Sequence, residues 1–155
     1  MQIDGLIERL EMLSDEGAGF DALLEAAVRG LHESDARFQW TGVYELFPDN
    51  MLRLGPFVGP PTDHVFIGVG QGVCGTAVAE RRNMNIPDVR NLSNYLACST
   101  TTRSELVVLI RSGEFIHAQI DIDSDQVGAF DDHAMARVQQ VADWLAGVYQ
   151  ARRAA

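Results

Sequence analysis

The stretch that decides the fold is residues 104–123, which read SELVVLIRSGEFIHAQIDID. Two runs rich in β-branched and apolar residues flank a polar turn at Ser112-Gly113, a pattern that predicts an antiparallel hairpin of strands 104–110 and 115–122. In the second strand the even positions 116–122 are apolar and the odd positions are mostly polar. Side chains alternate between the faces of a strand, so one face is expected to pack on a core.

Three carboxylates gather at one end of this hairpin. Asp121 and Asp123 share the polar face of the second strand, and Glu105 begins the first. If the numbers of paired residues sum to 226, with a three-residue connection, Glu105 faces Asp121. A register one residue shorter would turn Glu105 to the apolar face, where burying its charge is costly, so the first register is favoured.

A strand that accepts two neighbouring acids usually gains a ligand contact or a structural cap, and the sequence leaves both open. Crowding is expected to raise the acids' pKa values, so that one of them is protonated near neutral pH. Such a cluster can bind an ammonium group and supply a proton. A divalent metal such as calcium or magnesium is the alternative occupant, but the segment lacks the dense spacing of oxygen ligands that calcium loops show. We therefore expect no bound metal.

Outward from the hairpin, the pattern is that of an α+β fold, with an antiparallel sheet and packed helices. Apolar residues at helical spacing predict two helices within residues 1–36 and a long helix after Asp131. Alternating or apolar runs predict strands from Phe38, at 51–58, at 65–69 and at 84–86, and residues 75–82 predict a short helix. A length of 155 residues fits one domain, with helices at 1–36 and the core with its last helix at 37–155.

Composition narrows the function classes. The formal net charge is −10 and all twelve basic residues are Arg, so nucleic-acid binding is disfavoured and lysine-dependent chemistry is excluded. No apolar run reaches the length of a membrane span, and the N-terminal residues lack the pattern of a signal peptide. We therefore expect a cytoplasmic protein that binds neither nucleic acid nor membrane.

The chain has two cysteines, Cys74 and Cys98. In a reducing compartment they can be two inert thiols, or they can form a redox pair. Cys74 follows a glycine run at the expected start of a helix, a place that lowers a thiol's pKa. Cys98 lies in a polar loop seven residues before Glu105, so chain connectivity allows it to approach the acids. A cysteine hydrolase is less favoured, because only a distant histidine such as His64 or His117 can serve as its base.

Trp40, Gly42 and Tyr44 lie on one face of the first predicted strand. Core packing is the common fate of such aromatic residues. Gly42 would nevertheless leave a slot between the two rings, suited to a methyl-thioether group.

Several of these residues occur in a familiar order: Trp40-x-Gly42-x-Tyr44, Leu54-Gly55-Pro56-Phe57, Gly72-Val73-Cys74-Gly75-Thr76-Ala77, Ala97-Cys98, Ser104-Glu105-Leu106-Val107-Val108 and Asp121-Ile122-Asp123-Ser124. The ordered set resembles the free methionine-(R)-sulfoxide reductases, which are stand-alone GAF-domain enzymes, over roughly residues 40–149. The resemblance implies a GAF-type α+β domain with a central antiparallel sheet and with the N- and C-terminal helices packed on one face.

The resemblance also implies a reaction that needs no bound cofactor. Cys98 matches the thiol that attacks the sulfoxide sulfur and becomes a sulfenic acid, and Cys74 matches the resolving thiol, with thioredoxin as the external reductant. Glu105, Asp121 and Asp123 match the acids that bind the amino group and assist proton transfer. Trp40 and Tyr44 match the aromatic wall around the methyl-sulfur end of the substrate.

The chain departs from the family pattern at three positions. His64 stands where many members carry a third cysteine, Ser99 replaces the Asp that often follows the attacking cysteine, and His117 replaces a small residue at the expected pocket edge. The departures at His64 and Ser99 motivate a second hypothesis, a GAF sensor that binds a small molecule without converting it. The terminal helices are expected to offer a homodimer interface.

Overall fold

The computed structural model describes residues 3–93, 95 and 101–155. The helices are α1 (Ile3–Asp15), α2 (Phe20–Ser34), α3 (Gly72–Glu80) and α4 (Asp132–Ala154), and a 3-10 turn spans Val89–Asn91. The strands are β1 (Trp40–Leu46), β2 (Met51–Val58), β3 (Phe66–Gly68), β4 (Met84–Ile86), β5 (Ser104–Ser112) and β6 (Phe115–Ser124). They form a six-stranded sheet in the order β3-β2-β1-β6-β5-β4, with antiparallel neighbours throughout. The α+β prediction is confirmed.

The two faces of the sheet carry separate apolar clusters. One face packs against α1, α2 and α4, with residues such as Leu24, Ile120 and Val138 fully buried in a single cluster. The other face packs against α3, where Val73 and Ala77 meet Val107 and neighbouring side chains. The helices from both ends of the chain therefore lie on one face, as predicted, and α3 packs on the face that carries the polar residues of β6.

Local signals account for the long last helix. The carboxylate of Asp131 caps α4 by accepting a hydrogen bond from the backbone N–H of Ala134 at 2.8 Å. Asp132 lies in the first turn, and Arg152 and Arg153 lie in the last, as the helix dipole favours.

The register of the central hairpin differs from the prediction. Glu105 pairs with Asp123, and Val107 pairs with Asp121, so the residue numbers sum to 228. The connection has two residues, since Ser112 pairs with Phe115, and the register shifts between Ile110 and Arg111. A two-residue connection alone would have sent Glu105 to the wrong face. The bulge adds one residue to β6 and restores the parity, which keeps all three acids on one face.

The same bulge corrects the predicted face of the first residues of β6. Ile116 packs in the cluster on the α3 side and not beside Ala118 and Ile120. His117 turns to the opposite face, where its ring stacks on Tyr149 of α4 with centroids 5.5 Å apart. The alternation of side chains that a regular strand would show is interrupted here because a bulge places successive residues out of step.

Among the described residues, no helix combines the length and the apolar character that crossing a membrane requires.

Candidate active site

The sheet face beneath α3 carries three buried acids at the junction of β1, β6 and β5. The exposed fraction is 3% for Glu105, 0% for Asp121 and 3% for Asp123. In the sheet, Asp123 lies between Trp40 on β1 and Glu105 on β5. Asp121 lies one step further along β6, between Gly42 and Val107. The acids form one compact cluster that is shielded from bulk water.

Burial dominates the electrostatics of this cluster. It raises the pKa of Glu105 well above its ordinary value, and the nearby charges of Asp121 and Asp123 raise that pKa further. Burial also raises the pKa of Asp121, although the nearby Glu105 carboxyl and Cys74 thiol, both potential donors to it, oppose the rise. The predicted direction is confirmed for these two groups, but desolvation contributes more than crowding. Glu105 and Asp121 are therefore suited to share one proton.

The described residues provide little compensation for these charges. None of the ion pairs between described residues involves Glu105 or Asp121. Neither carboxylate oxygen of Asp121 has a geometrically well-formed hydrogen bond from a described group. An acidic site of this kind favours a cation or a proton as its occupant, since an uncompensated buried charge is costly.

Cys74 joins the cluster from α3. The helix begins at Gly72, three residues earlier than predicted, so Cys74 lies inside its first turn and is 4% exposed. Its thiol donates to Oε2 of Glu105 at 3.8 Å. One ligand atom each from Cys74, Glu105 and Asp121 lies within 4.8 Å of the others. A thiol and two carboxyl groups thus lie together in one buried cluster.

Two features that the sequence analysis did not assign hold Cys74 in place. The side-chain amide of Gln119 donates to the Cys74 carbonyl oxygen at 3.0 Å, which ties α3 to β6. Gly75 lets α3 approach β3, because a Cβ at this position would lie 3.0 Å from the backbone nitrogen of Gly70 and closer still to the Gly68 carbonyl oxygen. The sequence feature that could have pointed to Gln119 is its position on the polar face of β6, two residues before Asp121.

A cavity of about 200 Å³ opens beside Asp123. Its walls are formed by Gln39, Trp40, Pro60, Thr101, Thr102, Asp123, Ser124 and Asp125. The volume lies below the range of about 300–1,000 Å³ that is usual for drug-sized ligands, so the cavity suits a molecule the size of one amino acid. Two of these wall residues, Trp40 and Asp123, are among the site residues that the sequence predicts.

The aromatic pair lies where the sequence placed it, but the slot between the rings is absent. The ring centroids of Trp40 and Tyr44 are 6.3 Å apart on the same face. The Trp40 ring covers Gly42, where a Cβ would lie 2.5 Å from Cη2 of Trp40, and it stacks on Phe57 with centroids 5.5 Å apart. The indole N–H donates to the Pro60 carbonyl oxygen at 3.0 Å. Trp40 therefore forms a cavity wall, whereas Tyr44 is fully buried.

The remaining predicted positions have different outcomes. Cys98 and Ser99 lie outside the described residues. His117 does not border the site, because the bulge turns it to the α4 face, so the predictions that it edges the pocket or can act as a hydrolase base there are wrong. For His64, the backbone carbonyl accepts a hydrogen bond from the Tyr44 hydroxyl at 2.8 Å.

Comparison with known proteins places this fold and site in a class. The family model of the GAF domain matches residues 19–148. A structure of a type II free methionine-R-sulfoxide reductase from Thermoplasma acidophilum is 36% identical, with a TM-score of 0.80, and the match covers 85% of this chain and 93% of that one. A free methionine-R-sulfoxide reductase from Neisseria meningitidis, in complex with its substrate, is 28% identical, with a TM-score of 0.88 and coverage of 99% and 92%.

A curated relative agrees with these structures. The free methionine-R-sulfoxide reductase of Escherichia coli (strain K12) is 38% identical over 111 residues, which is 72% of this chain and 66% of the relative. The chain therefore belongs to the GAF domain family and, within it, to the free methionine-R-sulfoxide reductases.

Proposed function

We propose that this chain reduces free L-methionine-(R)-sulfoxide to L-methionine, with Cys98 as the attacking thiol and Cys74 as the resolving thiol. The observation that carries the proposal is the contact of the Cys74 thiol with the buried carboxyl pair Glu105 and Asp121. A cavity of amino-acid size adjoins this group and has Asp123 in its wall. Family membership supplies the substrate class.

The cavity suits a free amino acid. Asp123 offers its carboxylate to the substrate's ammonium group, and the ring of Trp40 offers an apolar surface to the methyl-sulfur end. A methionine sulfoxide within a peptide chain has no free ammonium group at that position, so recognition by Asp123 would select the free amino acid.

The carboxyl pair supplies the proton for the first step. The Cys98 thiolate attacks the sulfoxide sulfur and the sulfoxide oxygen takes a proton. The oxygen then passes from the substrate sulfur to the Cys98 sulfur as the bond between the two sulfurs breaks, which releases methionine and leaves Cys98 as a sulfenic acid. A carboxyl whose pKa is raised far enough to hold a proton near neutral pH can act as a general acid. Glu105 fits this role because burial and two neighbouring charges favour its protonated form.

The resolving step uses Cys74. Its thiol attacks the sulfenic sulfur, water leaves, and a disulfide forms between Cys74 and Cys98. Glu105 accepts the thiol hydrogen bond, so after delivering its own proton it is placed to take the thiol proton and pass it to the leaving hydroxyl, which departs as water. Cys98 lies three positions before the cavity residue Thr101, a span of at most about 11 Å when extended, so chain length allows Cys98 to reach the cavity.

A dithiol reductant completes the cycle. Thioredoxin would exchange its two thiols for the disulfide and restore both cysteines. A reducing cytoplasm suits this cycle, because its thioredoxin pool keeps such thiols reduced.

A coupled assay tests the proposal. Turnover with thioredoxin and separate R and S forms of free methionine sulfoxide should be seen with the R form alone, and Cys98→Ala should abolish it. Cys74→Ala should release one methionine per chain in a burst and then stop. Unchanged turnover in Cys98→Ala would refute the assignment of the attacking thiol, and a full steady-state rate in Cys74→Ala would refute the resolving role.

Mass spectrometry separates this enzyme from a non-catalytic GAF sensor. After exposure to methionine sulfoxide, the enzyme should contain an intramolecular disulfide between Cys74 and Cys98. Two unreacted thiols would favour the sensor, the alternative that the departures at His64 and Ser99 suggest.

We further propose a homodimer formed through the terminal helices. A groove between α1 and α4, lined in part by Ile7 and Trp144, is the surface that favours it. Sedimentation velocity tests this proposal, and a monomer at all concentrations would contradict it.

A further inference from the structure

We propose that the reduced protein binds one Zn²⁺ ion through Cys74, Glu105 and Asp121, and that the ion inhibits the reductase. Metal binding is independent of the proposed function, whereas the inhibition rests on it. The sequence alone suggested calcium or magnesium as the alternative occupant of the acids. The structure changes the class of metal, because a thiol completes the ligand set.

The geometry is close to that of a zinc site. Tetrahedral zinc, with bonds of about 2.3 Å to sulfur and 2.0 Å to a carboxylate oxygen, places these two ligand atoms about 3.5 Å apart. The Cys74 sulfur and Oε2 of Glu105 are already 3.8 Å apart. All three ligand atoms lie within 4.8 Å of one another, so small side-chain rotations complete a three-ligand site. Three protein ligands leave the fourth position for water, as in catalytic zinc sites.

The surroundings favour a cation at this point. Asp121 is 0% exposed, and neither of its oxygens has a well-formed hydrogen bond from the described residues. No Arg among the described residues forms an ion pair with Glu105 or Asp121, and the chain has no Lys. A divalent cation would therefore supply the positive charge that the described side chains do not.

The ligand types decide which metal binds. A thiolate is a soft ligand that selects zinc over calcium and magnesium, which prefer six or more oxygen ligands. The small gap beside Cys74 is also lined by Ile67, Gln71, Gly72 and Val73. Of these four residues, only Gln71 carries a side-chain oxygen that could serve as a further ligand. Zinc at Cys74 would block attack by its sulfur on any partner and would engage the proton-holding carboxyl.

Titration of the reduced full-length protein with Zn²⁺ tests the proposal by calorimetry. We expect one site in the wild type and in Cys98→Ser, which removes the other thiol. Cys74→Ser and Asp121→Asn should each weaken binding at least about 10-fold, as loss of ligands or their supports does elsewhere. Asp63→Asn, which removes the same charge from an exposed loop, should leave binding unchanged.

Co²⁺ provides a second readout. Thiolate ligation should give a sulfur-to-cobalt charge-transfer band in the near ultraviolet in Cys98→Ser, and the band should be absent when Cys74→Ser is added. Thermal unfolding without metal checks that each variant folds. If Asp121→Asn does not fold, the cobalt band and the Cys74→Ser titration still decide the outcome.

The possible results separate the zinc site, its inhibitory effect and the proposed function. Binding that survives Cys74→Ser, or equal binding of Mg²⁺, overturns the site. Inhibition of sulfoxide reduction by Zn²⁺, reversed by a chelator, supports the second half of the proposal, and zinc binding without inhibition overturns that half alone. A protein that binds zinc but never reduces methionine sulfoxide would refute the proposed function and leave the zinc site standing.

Discussion

Replacing Gly75 by Ala should destabilise the protein, although the same change in another helix should stabilise it. Gly75 lies in α3 and Gly147 lies in α4. A Cβ at Gly147 meets nothing within 4 Å. A Cβ at Gly75 would meet the backbone of β3 and of the following turn, at Gly68 and Gly70.

The magnitudes follow from these surroundings. Ala gains up to about 1 kcal/mol over Gly in a helix interior, and Gly147→Ala should gain most of it. At Gly75 the neighbouring atoms belong to the backbone and cannot rotate away, so α3 must withdraw from β3. Overpacking of this kind costs about 1–3 kcal/mol, and after the helix gain of about 1 kcal/mol Gly75→Ala should be up to about 2 kcal/mol less stable than the wild type. For a chain of this size, 1 kcal/mol shifts Tm by about 2–4 °C.

Urea and thermal unfolding of both single variants and the double variant measure the effect. We expect opposite signs for Gly75→Ala and Gly147→Ala, with additive effects in the double variant because the sites are distant. Withdrawal of α3 also lengthens the 3.8 Å contact between Cys74 and Glu105, so disulfide formation should slow in Gly75→Ala alone. Equal stabilisation by both changes would refute the inferred close packing of α3 on β3.

Three further predictions concern single side chains. Glu105→Gln should lower kcat by about 10²–10⁴-fold, the usual loss when a general acid is removed, while retaining the fold by circular dichroism. Gln119→Met should cost about 1–2 kcal/mol in urea unfolding and slow disulfide formation, because the carbonyl of Cys74 loses its buried partner. Hydrogen bonds from Arg37 chiefly lower the pKa of Asp35 from 3.8 to about 2. The ionised Asp35 therefore stabilises the fold above pH 3.8, and this contribution disappears as the pH falls through about 2. Asp35→Asn should lower the free energy of unfolding by about 1–2 kcal/mol at pH 7, a figure that allows for partial screening by solvent, and by much less near pH 2. Urea unfolding at both pH values measures the difference. An unchanged kcat, an unchanged stability or a cost independent of pH would contradict the respective prediction.

Most of the secondary structure was predictable because its signals are local. Strand β2 was predicted at its observed bounds, Met51–Val58, and the helices of both chain ends follow from apolar residues at helical spacing. The start of α3 was placed three residues late, because its first residues, Gly72 and Val73, are poor helix formers and are held by packing on β3 and β6.

The register of the β5–β6 hairpin could not be predicted from local sequence patterns. The cost of burying a charge correctly placed Glu105, Asp121 and Asp123 on one face. The register itself depends on a bulge at His117, and no pattern within residues 104–123 predicts that bulge. The bulge is stabilised by long-range contacts, since His117 stacks on Tyr149, more than thirty residues further along the chain.

The amino-acid sequence by itself determined the α+β class, the polar face of β6 and the identity of the acids, because alternation, helical spacing and the cost of burying a charge act between near neighbours. Tertiary structure alone decided that the Cys74 thiol meets Glu105, that Gln119 anchors α3 and that the Trp40 ring fills the space above Gly42. The first two contacts join residues far apart in the chain, and the Trp40 ring is held over Gly42 by the distant residues Phe57 and Pro60. Their distances are set by how closely α3 and the neighbouring strands pack, which a one-dimensional pattern does not encode.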